Sequence, residues 1–241
     1  MIKISGYNIV KEFTPEIAAN KLVKQLEKNV KKCKDENGSC ILAISGGSSI
    51  LKIYDALKEL NAIQSTFWEN VYILWVDERH VPHTSKDSNY GSAYRYYWKD
   101  VKYAELIPVL YDPNLKSSVD YYRSRIAELP LMERGIDITL LGMGNDAHTA
   151  SLFPHSKALK QNKELIVSAK LKNLHQDRIT MSFRLLNKSN EIFLYAYGVE
   201  KGNALKQALQ SGDLNKYPIL GIEKSKVVIF TDDLFFKELE S

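Results

Sequence analysis

Cysteine is scarce in this chain: Cys33 and Cys40 are the only two among 241 residues. That rules out a disulfide framework and leaves no zinc-finger spacing. Two free thiols in a reducing compartment are the expectation. Long apolar runs are missing too. No stretch approaches the roughly 18 apolar residues of a membrane span, and Met1-Ile2-Lys3-Ile4-Ser5-Gly6 has no apolar signal core. A cytoplasmic location away from the membrane is therefore expected. Nor is one sign of charge in large surplus: 33 basic against 29 acidic residues leave a formal +4. Without a basic stripe interleaved with aromatics, nothing points to nucleic acid, while a small anionic ligand is compatible with the balance. The Walker lysine pattern is absent, which removes a nucleotide P-loop. His80 and His83 flank Pro82 with no third ligand in reach, so no metal is expected there. Repeats, low-complexity tracts and clear linkers are also missing.

What is present suits a globular enzyme. Hydrophobic residues make up 44% of the chain, enough for a sizeable core, and one domain spanning 1–241 is the simplest reading. Thr14-Pro15-Glu16 opens a helix, with Thr as N-cap and Pro in the first turn. Ile17, Leu22, Val23, Leu26 and Val30 give it an apolar face, and the charged run Lys31 to Gly38 is expected to end it. Cys40–Ile44 reads as a buried strand that empties into Ser45-Gly46-Gly47-Ser48 and then a helix bearing Ile50, Ile53, Tyr54 and Leu57; the loop is either an anion cradle or a tight βα turn with Ser48 as N-cap of that helix. Strand, glycine loop and helix together present backbone N–H groups and a helix dipole to an anion.

Val71–Val76 is a second strand, running into Asp77-Glu78-Arg79, three charges expected to face a site or solvent. Arg79 suits a phosphate clamp; Asp77 suits a sugar hydroxyl or a base. Asp87 or Ser88 is expected to cap a helix over Ala93–Trp98, and Leu115–Leu129 is expected to be helical. Arg178–Phe183 alternates like a strand, Glu191–Tyr197 is another and leads through Gly198-Val199-Glu200-Lys201 into a helix, and Lys226–Phe230 precedes a short terminal helix from Asp232-Asp233. Strands and helices alternate, so the class is α/β: a largely parallel twisted sheet with helices on both faces.

The centre of the pattern is Ile136 to Pro154. An apolar strand passes into Gly142-Met143-Gly144, where glycine permits positive φ and close approach. Asp146 and His148 follow. Histidine suits proton transfer near neutral pH. Four loops at strand carboxyl ends thus carry Ser45–Ser48, Asp77–Arg79, Asp146–His148 and Glu200-Lys201. Arg178, at a strand's start, is not placed with them by pattern.

These blocks resemble the 6-phosphogluconolactonase family, within the superfamily that includes glucosamine-6-phosphate deaminase. Ser45-Gly46-Gly47-Ser48 looks like its phosphate loop. Trp75-Val76-Asp77-Glu78-Arg79 with Asp87-Ser88-Asn89-Tyr90 looks like a second block, Leu141 to Pro154 is the most specific match, and Arg178-Ile179-Thr180-Met181 and Gly198-Val199-Glu200-Lys201 match the last blocks. The family usually has glycine between the Asp and the His; Ala147 stands there, and alanine resists positive φ. The resemblance implies a three-layer α/β/α fold and hydrolysis of 6-phosphoglucono-δ-lactone without cofactor or metal. It implies that the Ser45–Ser48 loop, Arg79, Arg178 and Lys201 hold the phosphate. His148 would be general base, Asp146 would orient it, and Asp77 would be a weaker catalytic candidate. Backbone N–H groups of Gly46-Gly47 or of Gly142 and Gly144 would be oxyanion donors. Some relatives are fused to glucose-6-phosphate dehydrogenase, which makes the lactone, so functional coupling to it is a further expectation. The deaminases carry a Phe-Asn-Glu run after the His that Thr149 to Pro154 lacks. A deaminase/isomerase and a non-catalytic sugar-phosphate sensor remain the alternatives.

Overall fold

A computed structural model of the chain describes residues 2–60, 66–161, 163–170 and 176–240. Among them are eleven strands: β1 Ile2–Ile4, β2 Tyr7–Glu12, β3 Cys40–Ile44, β4 Val71–Trp75, β5 Asp77–Arg79, β6 Glu105–Ile107, β7 Ile136–Leu141, β8 Ile166–Ala169, β9 Arg178–Met181, β10 Ser189–Tyr195 and β11 Val227–Asp232. The α-helices are α1 Pro15–Asn37, α2 Ser49–Glu59, α3 Asn89–Tyr96, α4 Leu115–Ala127, α5 Leu131–Arg134, α6 Phe183–Leu186, α7 Val199–Ser211 and α8 Asp233–Glu240.

Eight strands form the main sheet in the order β1-β2-β11-β10-β7-β3-β4-β6. All its pairs are parallel except the β1–β2 hairpin at one edge. The inner strands β3, β7 and β11 are buried along their whole length, because alternate side chains feed opposite faces. From β3, Ile41 and Ala43 join one apolar cluster with α4, α7 and α8. Leu42 and Ile44 join another with α1 and α2. Helices on both faces follow from that alternation.

The chain runs outward from β3 through β4 to β6, then returns to the other side of β3 with β7. The order therefore reverses between β3 and β7. Such a switch point opens a crevice at the strands' carboxyl ends, where α/β sheets bind ligands. Here it falls between Ser45 and Gly142, and the two are tied: Gly142 N–H donates to Ser45 Oγ at 3.2 Å, and Ser45 N–H to Leu140 O at 2.9 Å.

Several expectations need correction. Asp77–Arg79 is not a loop but β5, in a separate three-stranded antiparallel sheet ordered β5-β9-β8. Arg178–Met181 is a strand of this small sheet rather than of the main one. The charged run Lys31–Asn37 does not end α1; the helix continues through it, and Gly38 closes it in the left-handed conformation (φ 72°), its N–H reaching Lys34 O at 2.8 Å. Ser48 does not cap α2, since its own backbone is already helical and its side chain makes no cap bond. Thr14 does cap α1, and Ser88 caps α3, which starts at Asn89 rather than Ala93.

Candidate active site

A cleft of about 350 Å³ lies at the switch point. Ser45, Gly46, Gly47 and Ser48 form one wall. Gly47 needs its φ of +87°, and a Cβ on Gly46 would stand 2.1 Å from Asn89 Oδ1. Among the described residues, no acceptor within the chain takes the N–H of Gly46, Gly47 or Ser48. Three amide donors at the start of α2 are thus left to a ligand, as at helix-terminal anion sites.

The opposite wall is the loop after β7. Gly144 N–H donates to His148 O at 2.9 Å, and Ala147 N–H donates to Gly144 O at 3.0 Å, closing a tight turn. Ala147 takes φ +59° and is fully buried. The left-handed backbone is therefore kept with alanine in glycine's usual place, the methyl group packed in the core and the carbonyl held by Ile219 N–H at 2.9 Å. The turn delivers His148 against Asp146. His148 Nδ1 lies 2.5 Å from Asp146 Oδ1, which also accepts the His148 backbone N–H at 3.1 Å. Phe153 packs on the imidazole, ring centroids 4.6 Å apart. Nε2 has no partner among the described residues. Burial works to raise the Asp146 pKa, but the hydrogen bond and charge of His148 hold it below its usual value.

The glycines after β7 do not match the expected oxyanion role. The Gly142 N–H is taken by Ser45 Oγ and the Gly144 N–H by His148 O. Gly144 serves instead as clearance: a Cβ there would stand 2.2 Å from His148 Nδ1 and 2.8 Å from Asp146 Oδ1.

The cations arrive from two directions. In the small sheet, Arg79 of β5 faces Arg178 of β9 in register, which explains how a residue at a strand's start reaches loops at other strands' ends. Lys201, in the first turn of α7, donates to Ser49 Oγ at 3.2 Å. All three line the cleft, and none has a carboxylate within salt-bridge distance among the described residues. Burial, then the charge of Arg79, lowers the Arg178 pKa; burial lowers that of Lys201. Unpaired, partly desolvated cations are costly unless an anion joins them. A wider depression of about 720 Å³ near His80 contrasts with this. Its Lys116, Arg123 and Lys170 are each ion-paired with Asp120, Glu164 or Asp177.

Asp77 faces the cleft with Oδ2 bound by Ser151 Oγ at 2.6 Å. Its neighbour Glu78 does not face a ligand or solvent, as expected of the charged triplet. It turns inward, 1% exposed, and accepts from the N–H groups of Arg79, Asn89 and Tyr90 and from Ser88 Oγ. It thereby pins α3 beneath the site. Burial pushes its carboxyl up to about 7. His80 and His83 each spend Nε2 on a separate carbonyl, Asp112 O and Val109 O, both at 2.7 Å.

Every site residue named from the sequence lines the cleft except Asp146, which stands behind His148. Asn89, Ser151 and Phe153 were not singled out. Asn89 sits in a turn readable as a cap, and its part emerges only where its Nδ2 reaches Asp77 O at 3.0 Å.

Residues 14–230 match the model of the family described as glucosamine-6-phosphate isomerases/6-phosphogluconolactonase. A 6-phosphogluconolactonase of Synechocystis is 32% identical over 209 residues, covering 82% of this chain and 83% of its own. One from Neisseria meningitidis is 32% identical over 211 residues, covering 84% of this chain and 87% of its own. The crystal structure of a 6-phosphogluconolactonase from Shewanella baltica superposes with a TM-score of 0.84 at 27% identity, covering 95% of this chain and 99% of that one.

Proposed function

The chain belongs to the glucosamine-6-phosphate isomerase/6-phosphogluconolactonase family, and from that premise we propose that it hydrolyses 6-phosphoglucono-δ-lactone to 6-phosphogluconate. One observation carries the reading. An imidazole held at Nδ1 by a carboxylate leaves Nε2 without a partner among the described residues, beside a cleft that also holds three cations and three amides with no carboxylate or acceptor among those residues.

In this reading the phosphate lies between the Gly46, Gly47 and Ser48 amides and the side chains of Arg79, Arg178 and Lys201. Binding it there fixes the lactone ring against His148, so that remote binding energy becomes positioning. Nε2 takes a proton from water as the oxygen attacks the lactone carbonyl. The tetrahedral intermediate collapses by breaking the bond to the ring oxygen, and the imidazolium returns its proton to that leaving oxygen. Asp146 fixes the tautomer and stabilises the imidazolium. Of the Gly142–Gly144 amides, only Met143 N–H has no acceptor within the chain among the described residues, and it is the one left for the developing oxyanion. Asp77, its Oδ2 already engaged, accepts a sugar hydroxyl through Oδ1.

Among the described residues no glutamate lines the cleft, which favours lactone hydrolysis over deamination of an amino sugar. The same proposal treats 1–241 as one domain working in the cytoplasm, supplied with lactone by a dehydrogenase such as that acting on glucose 6-phosphate. Among the described residues, no helix is long and apolar enough to cross a membrane. The test offers the protein lactone and glucosamine 6-phosphate separately. Faster lactone loss than the spontaneous rate, without ammonia release, is the expected result; ammonia release without lactone turnover reverses the assignment.

A further inference from the structure

At the opposite end of the sheet, Cys33, Cys40 and Asp137 converge. Cys33 lies in the last turns of α1, Cys40 begins β3, and Asp137 is the second residue of β7. Their ligand atoms, two Sγ and a carboxylate oxygen, all lie within 4.8 Å of one another. Cys40 and Asp137 are buried, whereas Cys33 is half-buried, and it shares with Asp137 a cleft of about 370 Å³. This cleft is separated from the catalytic one by the length of β3 and β7, since it opens at their amino ends.

The carboxylate is only half used. Asp137 Oδ2 accepts from Ile41 N–H at 2.8 Å and meets Arg134 Nη2 at 3.1 Å. Oδ1 has no donor among the described residues. The protein has thus placed a buried carboxylate with a spare oxygen beside two thiols that the sequence spacing did not connect. We propose that Cys33, Cys40 and Asp137 form a binding site for one thiophilic divalent cation of the Zn2+ class, with water from the cleft as fourth ligand.

Geometry and charge both support this. Tetrahedral zinc with Zn–S bonds of about 2.3 Å sets sulfur–sulfur separations near 3.8 Å, so atoms already within 4.8 Å need to close by about 1 Å at most. Cys33 can supply that movement from the partly exposed face of α1. Without metal, neutral thiols leave the Asp137–Arg134 pair electrically balanced. When the cation binds, each thiol gives up its proton to solvent, two S–M bonds and one O–M bond form, and two protons leave. Two thiolates, one carboxylate, one guanidinium and M2+ again sum to zero, so the ion enters without stranding a buried charge. A cation here would tie the end of α1 to the starts of β3 and β7, a structural role distinct from catalysis.

The test uses the full chain, fully reduced and stripped of metal, titrated with Cd2+. Thiolate-to-metal charge-transfer absorption is the optical readout, and native mass spectrometry gives the stoichiometry. One Cd2+ per chain with two-thiolate absorption is expected. Cys33→Ser should cut that absorption to about half and weaken binding by about tenfold or more, as should Cys40→Ser in absorption. Asp137→Asn should weaken binding while keeping the absorption, and His148→Ala should change neither. Zn2+ should raise Tm for the wild type and not for Cys33→Ser, a comparison that holds even if the Cys40 variant fails to fold. Absence of charge-transfer absorption in the reduced wild type, or absorption undiminished in Cys33→Ser, overturns the site.

Discussion

Arg79 and Arg178 stand directly opposite each other across β5 and β9, two like charges in register at the edge of the cleft. Directly opposed like charges destabilise an antiparallel pair, and their hydrogen bonds to Asp87 O (2.6 Å) and Gln176 O (2.8 Å) orient them without neutralising them. The phosphate proposed to lie between them would relieve the repulsion. Arg79→Met and Arg178→Met are each expected to raise KM by about 10- to 100-fold, the worth of a charge-assisted hydrogen bond, with kcat changed far less. Steady-state kinetics with the lactone checks this. An equal loss in kcat with KM unchanged would place the arginines at the reacting atoms instead.

In the proposed mechanism Asp146 acts through His148. Asp146→Asn leaves the turn but offers Nδ1 a partner that favours the wrong tautomer, so kcat should fall by about 100- to 10,000-fold with KM little altered. Kinetics within twofold of wild type would show that the 2.5 Å contact only shapes the loop.

Gly144 is the clearance on which that pair depends. The Cβ of Gly144→Ala would overlap the imidazole at 2.2 Å, and a displacement of about 1 Å costs on the order of 100-fold in rate. The variant should remain folded by circular dichroism yet lose kcat to that extent. Unchanged kcat would mean that the loop accommodates the methyl group without moving His148.

Ala147 tests how much the left-handed turn matters. Glycine would relieve about 1–2 kcal/mol of strain but lose about 0.5–1 kcal/mol to chain entropy and leave a small void. Ala147→Gly should therefore shift stability by no more than about 1 kcal/mol and leave kcat intact. Ala147→Val, β-branched at φ +59° in a fully buried place, should cost about 3 kcal/mol or more. Denaturant melts of the two variants measure both.

Glu78 gives stability a pH dependence. Its native carboxyl titrates near 7 against an ordinary 4.5, so between those values the folded chain holds a proton that the unfolded chain has released. The group's contribution is then present below about 4.5 and is lost as pH rises through 7, a fall of about 3 kcal/mol. Glu78→Gln should flatten that slope while lowering stability at all pH values, because its amide N–H2 replaces one carboxylate oxygen and meets the two donors that oxygen accepted. Melts across pH 5 to 8 give the slopes; identical slopes would remove Glu78 as the source.

Much of this was legible in the chain. The buried strands showed themselves as apolar runs, and each proposed catalytic or cationic group except Arg178 lay beside a glycine turn or a strand's carboxyl end. Arg178 was legible only by resemblance, because its place depends on an antiparallel partner 99 positions away in register, a contact no local pattern encodes. The same holds for Glu78, whose role as a cap for α3 needs a chain reversal, and for Cys33 with Cys40, which meet because α1 runs on to Gly38 rather than fraying at its lysines. Ser45 at the switch point could be read as a turn; that its hydroxyl occupies the Gly142 N–H could not.

The most direct measurement follows 6-phosphogluconate formation from lactone made in situ by glucose-6-phosphate dehydrogenase, with spontaneous hydrolysis subtracted, for the wild type and for His148→Ala. The account predicts clear acceleration by the wild type and a kcat about 100- to 10,000-fold lower in the variant. Acceleration that survives the loss of the imidazole would contradict His148 as the base, and no acceleration by the wild type would contradict the function itself.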